Sequence, residues 1–236
     1  MFIYGKNPIK DLFDKDFKLI KKIWIDKKRH QSFFNDLKNK GIEINDFKVF
    51  NFRKNGFSSH ENFQGIIALI EEPKIYSLKE LIELNIGKES PKFLILDQIE
   101  DPQNFGAILR NAAAFDIDGV IYPSRNSAKL NSTVMKASAG NWMRVNLCET
   151  NSLNQVVDTL KKNYYWIIST SLEGKTSFEE IKNINQPKAI ILGNEGKGVR
   201  KTLNEKSDFK IKINMNQEVE SLNVASASAI ILHYLF

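Results

Sequence analysis

"AIILGNEGKGV", residues 189–199, decides how the rest of the chain is read. The apolar run Ala189–Leu192 passes straight into a turn that holds Gly193, Gly196 and Gly198. A short continuous apolar run ended by glycine marks a strand buried on both faces. A turn this rich in glycine lets a backbone approach something closely. Three partners are open: another piece of this chain, a nucleotide, or a different ligand. Glu195 adds a carboxylate at the expected start of the next helix, beside the sheet edge.

Two familiar phosphate cradles are excluded by spacing. The P-loop places four residues between its first glycine and a Gly-Lys-Ser/Thr group, whereas Gly198 is followed by Val199. The dinucleotide fingerprint has its one-residue gap first and its two-residue gap second. Here the order is reversed.

Outward from this stretch, the same pattern repeats. "FLILD" (93–97), "GVIYP" (119–123), "WMRVNL" (142–147), "YYWIIST" (164–170) and "FKIKI" (209–213) join 188–193 as expected strands. Helical periodicity covers 103–116, 130–139, 152–163, 177–183, 197–205 and 222–235. Strands alternating with helices define an α/β class with a parallel sheet covered on both faces. Ligands of such sheets bind beyond the carboxyl ends of the strands. The loops after residues 97, 170, 193 and 213 are therefore the ones that matter.

In "QIEDPQNFGAILRNAAAF", after the first of these strands, Asp101 or Asn104 can cap the helix, and Pro102 suits its first turn. Asn104 and Arg110 stand six residues apart, under two turns, so they do not stack on one face. Arg110 is either aimed at an anion or a surface arginine with a buried stem. "NMNQEVESLNVASASAIILHYLF" begins as a polar loop with Asn214, Asn216, Gln217, Ser221 and Asn223. It enters a helix of small residues suited to close packing, for which Ser221 is a candidate cap.

Three parts are expected: a small α/β unit over 1–72, a linker with a short helix over 73–91, and the sheet domain over 92–236. In the first, "KKIWI" (21–25) and "FQGIIALIE" (63–71) have strand character and "QSFFNDLKNKG" (31–41) reads as a helix stopped by Gly41. The 236 residues carry a net charge of +6. Residues 1–72 hold 14 Lys and Arg against 10 Asp and Glu, so four of those six charges lie there. A lysine-rich solvated face and a phosphate-contacting surface both fit that excess. Cys148 alone forms no internal disulfide, and with three histidines no structural zinc cluster is expected. No apolar stretch has bilayer length and no secretory leader is read at the N-terminus, so a cytoplasmic protein is expected.

Taken together, "DPQNFGAILRNAAAFDIDGVI", "AIILGNEGKGV" and "INMNQEVESLNVASASAI" resemble the three motifs of the SpoU (TrmH-type) RNA ribose 2′-O-methyltransferases of the SPOUT superfamily. "YGKNPIKDLF" and "NFQGIIAL" resemble that family's substrate-binding domain, and the layout is similar to that of bacterial enzymes that methylate a guanosine of 23S ribosomal RNA. The resemblance implies a C-terminal deep trefoil knot, a homodimer, S-adenosylmethionine as methyl donor and RNA as substrate, with no metal. It implies catalytic roles for Asn104, Arg110, Glu195, Ser221 and Asn223. Arg110 would serve as base or as phosphate clamp. Gly193, Ile213, Leu222, Thr170 and Met215 would hold the cofactor, with the three glycines letting the backbone meet its adenosyl group. Two departures stand out. The usual Ile-Pro-Met is Ile213-Asn214-Met215 with Gln217 at a customary glycine, and Phe63 stands where a histidine often precedes Gln-Gly. A transfer-RNA substrate, or a non-catalytic RNA-binding protein of the same fold, are the alternative readings.

Overall fold

A computed structural model describes residues 1–57, 62–194, 196–216, 218 and 221–235. The front of the chain builds a four-stranded sheet of order β1-β4-β2-β3 from β1 (Phe2–Tyr4), β2 (Ile20–Ile25), β3 (Glu43–Asp46) and β4 (Ile66–Ile70). Helices α1 (Lys6–Asp16) and α2 (Gln31–Asn39) bury Ile9, Leu12, Phe33 and Leu37. Elsewhere in this unit an aromatic cluster forms. Phe63 sits in it, 5.0 Å from Tyr4 and 4.8 Å from Phe52 between ring centroids. The residue that departs from the family pattern is thus a core residue here.

The next stretch contributes β5 (Ile75–Tyr76) and α3 (Leu78–Glu83), and β5 pairs in parallel with a strand of the second sheet. A Ser77–Glu80 capping box starts α3, and its Leu81 is fully buried against Gly119.

The second sheet is parallel, of order β11-β9-β10-β6-β7-β8-β5. Its strands are β6 (Lys92–Leu96), β7 (Gly119–Pro123), β8 (Asn146–Thr150), β9 (Trp166–Thr170), β10 (Lys188–Leu192) and β11 (Phe209–Ile211). Helices α4 (Pro102–Ala114), α5 (Ser132–Ala137), α6 (Leu153–Lys162), α7 (Phe178–Lys182), α8 (Lys201–Lys206) and α9 (Val224–Leu235) lie between and after them. The alternation read from the sequence is therefore the architecture. Separate apolar clusters line the two faces. One gathers Leu94, Leu96, Ile190 and Leu192, the other Phe93, Ile95, Ala189 and Ile191. Neighbouring residues of β6 and β10 thus point to opposite cores.

Several boundaries differ from the sequence reading, and two of the differences have a visible cause. Residues 141–144 form a 3-10 turn, entered through left-handed Gly140, and the strand expected at 142–147 starts at Asn146. The helix expected at 197–205 starts at Lys201, because Arg200 is held extended by bonds to Asp97.

The small unit packs on α5 and the turn after it. Lys136 donates to Asn62 O at 2.6 Å and lies over the Tyr4 ring, Lys15 donates to Met143 O, and the backbone at Gly140 abuts Asp11. Among the described residues no helix is long and apolar enough to cross a membrane, and no group of His, Cys, Asp or Glu could hold a metal ion.

Candidate functional site

The strand registers fix where the loops meet. Ile191 is level with Ser169, and Ile211 with Thr170, so β9, β10 and β11 end together at the carboxyl edge of the sheet. Thr170, Gly193 and Ile213 leave that edge side by side. Thr170 donates its hydroxyl to Ile191 O at 3.2 Å. Ile213 packs half-buried on the core, and Met215 and Leu222 are half-buried in the following segment.

The glycine-rich turn closes on itself. Asn194 and Gly198 exchange two backbone bonds, 3.1 Å and 2.8 Å. The Asn194 side chain accepts from Gly196 N at 3.0 Å and Lys197 N at 3.3 Å, and donates to Gln98 O at 3.0 Å. A Cβ placed on Gly193 would fall 2.1 Å from the carbonyl carbon of Gly198 and 2.2 Å from Val199 N. Gly193 therefore answers to another piece of its own chain. Glycine at 193 is thus required by packing, whatever its main chain contacts besides. Gly198 has φ +65 with open space around it, and Gly196 meets nothing nearer than 3.8 Å. Among the described residues, the side-chain positions at 196 and 198 are uncrowded.

Beneath the turn, Asp97 is fully buried. It accepts from Arg200 N at 2.9 Å and Arg200 Nε at 2.7 Å, and its own N–H donates to Leu192 O. A buried carboxylate needs such partners. Asp97, Asn194 and Arg200 organise the site, and the sequence reading did not single them out. The available signals were a carboxylate closing the "FLILD" run and an asparagine inside a glycine turn.

Asn104 and Asn223 are brought together. Asn223 Nδ2 donates to Asn104 Oδ1 at 2.9 Å across a separation of 119 residues. Asn223 also caps α9, accepting from Ala225 N at 2.9 Å and Ser226 N at 3.3 Å. That corrects the assignment of the cap to Ser221, which is exposed and precedes it. At the first motif the cap is Asp101, accepting from Gln103 N, while Asn104 lies buried within α4. One turn-pair further along α4, Asn111 donates to Ala225 O at 2.9 Å and Ser228 Oγ at 2.8 Å. Asn104 and Asn111 thus share the face of α4 that meets α9.

Arg110 is exposed and forms no hydrogen bond or ion pair with a described residue. Six residues beyond Asn104, it is rotated from it by about 120° around the helix. Glu195, expected among the catalytic residues, lies outside the described residues, as does Gln217. Cys148 is buried in the middle of β8, and burial pushes its thiol up to about 11. It offers no thiolate nucleophile at neutral pH.

The edge is suited to a neutral, largely apolar group with main-chain contacts. Strand ends, the uncrowded glycines at 196 and 198 and the half-buried Ile213, Met215 and Leu222 supply them. These features fit an adenosyl-type cofactor.

The sequence carries the same message. The SpoU rRNA Methylase family model matches residues 91–233, and the model "RNA 2'-O ribose methyltransferase substrate binding" matches residues 2–76. The chain belongs to the SpoU rRNA methylase family and is an RNA methyltransferase of that family. It is 32% identical over 237 residues to the "Uncharacterized tRNA/rRNA methyltransferase MG252 homolog" of Mycoplasma pneumoniae, covering 98% of this chain and 95% of that one. Its fold matches the SpoU methyltransferase AviRb of Streptomyces viridochromogenes, solved with AdoMet. The TM-score is 0.79 at 18% identity, over 100% of this chain and 88% of the other. It also matches the AdoMet-bound rRNA methyltransferase of Sinorhizobium meliloti, with TM-score 0.74, 20% identity, and 99% and 85% coverage.

Proposed function

We propose that this chain transfers a methyl group from S-adenosylmethionine to a ribose 2′-OH of RNA, at a guanosine of 23S ribosomal RNA, in the cytoplasm. The observation that carries the reading is the Asn223–Asn104 bond, which lays the third motif on the first. Bound there, the donor would supply an electrophilic methyl group: the O–C bond would form as the S–C bond breaks, leaving a neutral thioether, and the 2′-OH proton would pass to solvent. The chain's own task is then alignment more than charge stabilisation. Thr170, Gly193, Ile213, Met215 and Leu222 hold the cofactor by main-chain and apolar contact. Asn104, Ser221 and Asn223 position the ribose. Arg110 holds the phosphate next to the reacting ribose through its guanidinium fork, and Glu195 offsets its charge.

Residues 1–72 grip the RNA, 73–91 join the parts, and 92–236 carry the chemistry. The C-terminal segment forms a deep trefoil knot, an exception to the unknotted rule. Support comes from the 171–176 loop, pressed so closely on the end of β11 that a Cβ on Gly174 would lie 2.5 Å from the Ile211 carbonyl carbon. Further support is the return of α9 onto α4. Arg110 points outward, away from Asn104, which suits a homodimer with its active sites at the interface.

Tritium transfer from labelled S-adenosylmethionine to RNA of a strain lacking this chain tests the activity. Arg110→Ala should abolish transfer and leave cofactor affinity within about twofold, since a group that contacts the RNA and not the donor leaves donor binding alone. Loss of cofactor binding in that variant contradicts the role. Mapping 2′-O-methyl sites in the same strain separates ribosomal from transfer RNA.

A further inference from the structure

A cavity of about 210 Å³ opens on the carboxyl edge of the sheet beside the glycine-rich turn. It is lined by the loops after β6, β7 and β8 and by the start of α8. Gln98, Arg125, Asn126, Asn154 and Arg200 carry its polar surface. Its two charged lining residues are both arginines.

Their donors are available. Arg200 spends its backbone N–H and its Nε on Asp97, and its terminal nitrogens form no hydrogen bond with a described residue. Its side chain is 41% exposed. Arg125 is exposed and has no described hydrogen bond or ion pair. Two guanidiniums with unused N–H groups over a polar hollow are the arrangement that seats a tetrahedral oxyanion. The buried Asp97 fixes one of them in place, so that arginine loses little freedom on binding.

Position narrows the anion. The sheet order β11-β9-β10-β6-β7-β8 puts the cofactor-side strands on one flank and the cavity on the other. The centre of the cavity, near the end of β7, lies two strands from β10, on the order of 10 Å at ordinary strand spacing. Asn194 of the turn bonds Gln98 O, so the turn and the cavity share a wall. An RNA strand with its reacting ribose at the cofactor edge has its neighbouring nucleotides within reach of this hollow.

We infer that the Arg125–Arg200 cavity seats a backbone phosphodiester of the RNA substrate, next to the nucleotide that is methylated. The inference rests on the methyltransferase reading above. Arg125 is a positioning residue here, without contact with the reacting atoms.

Arg125→Ala is the variant of choice, because Arg125 is exposed and holds no described partner, so thermal melting should stay at the wild-type value. The probe is ribosomal RNA from a strain lacking this chain, bound across a salt series. The variant should bind about fivefold more weakly at low salt. Its plot of log affinity against log salt should be shallower by about 0.7, the share of one contact on single-stranded RNA. Arg125→Lys should restore most of the slope. Affinity for S-adenosylmethionine, read by calorimetry, should not move. A weaker cofactor affinity would assign the cavity to the donor's carboxylate and overturn the proposal. An unchanged salt slope overturns it too, including when inorganic phosphate alone binds the wild type at this place. If the wild type transfers no tritium, the enzymatic reading falls. If it transfers normally while Arg125→Ala keeps the full salt slope, only the cavity assignment falls.

Discussion

The turn at 193–199 and the segment at 212–223 border the same edge of the sheet and are held in opposite ways. The turn has mutual backbone bonds between Asn194 and Gly198, a side chain that gathers Gly196 and Lys197, and a tie to Gln98. The segment has neither helix nor strand among its described residues between Ile211 and Val224. It is anchored at its ends, through β11 and through Asn223, with a local bond from Glu218 N to Asn216 Oδ1 between them. One wall of the site is therefore built by the fold. The other takes its course from what it packs against. Ordering a backbone costs about 1–2 kcal/mol per residue, so a pre-built wall reduces what a ligand must organise. Substitutions in the turn should then move stability and affinity together. Substitutions in the segment should separate them.

The largest effect is expected at Gly193. Alanine there would drive a Cβ into the backbone at Gly198 and Val199, and neither can yield without opening the turn. Urea unfolding should show a loss of about 3 kcal/mol. Affinity for S-adenosylmethionine should fall about 100-fold in calorimetry, which is the same free energy expressed as binding. Wild-type stability with wild-type affinity would break the comparison at its rigid end.

Asn223→Ala probes the other wall. The substitution removes the cap of α9 and the bond to Asn104. A lost cap costs about 1 kcal/mol of stability. On the proposed role of Asn223 in positioning the ribose, methyl transfer should fall further, by about 100-fold in kcat. A drop in rate no larger than the drop in stability would reduce Asn223 to a structural cap.

The sequence was legible where chemistry and period agree. Continuous apolar runs such as "AIIL" and "FLIL" belong to strands buried on both faces, and the structure places them side by side in the sheet. The two-residue β5 carries too little period to be seen, and 142–147 alternated like a strand although Gly140 turns the chain into a 3-10 helix. The late start of α8 depends on a bond from residue 200 to residue 97, which no local pattern holds. The site was legible as residue types in loops. Its organisers were not, because Asp97 and Asn194 act through partners far off in sequence. The steric reason for Gly193 also lay in tertiary packing: the space a side chain would take is filled by the chain itself.

That leaves Gly196, where the smallest effect on the fold is expected and where the comparison can be made sharpest. Gly193 is required by space, and Gly198 by a φ of +65, a region that costs an ordinary L-residue about 1 kcal/mol. Gly196 has neither reason: its added Cβ would meet only Asn194 Oδ1, at 3.8 Å, an ordinary contact. Gly196→Ala should therefore shift unfolding by less than about 0.5 kcal/mol. If glycine is needed at 196 at all, the need comes from something other than the described residues. A fall in S-adenosylmethionine affinity with unchanged stability would locate the cofactor against the open backbone of the turn. Unchanged affinity would move the adenosyl contact away from 196 and onto the strand ends at Thr170 and Ile213.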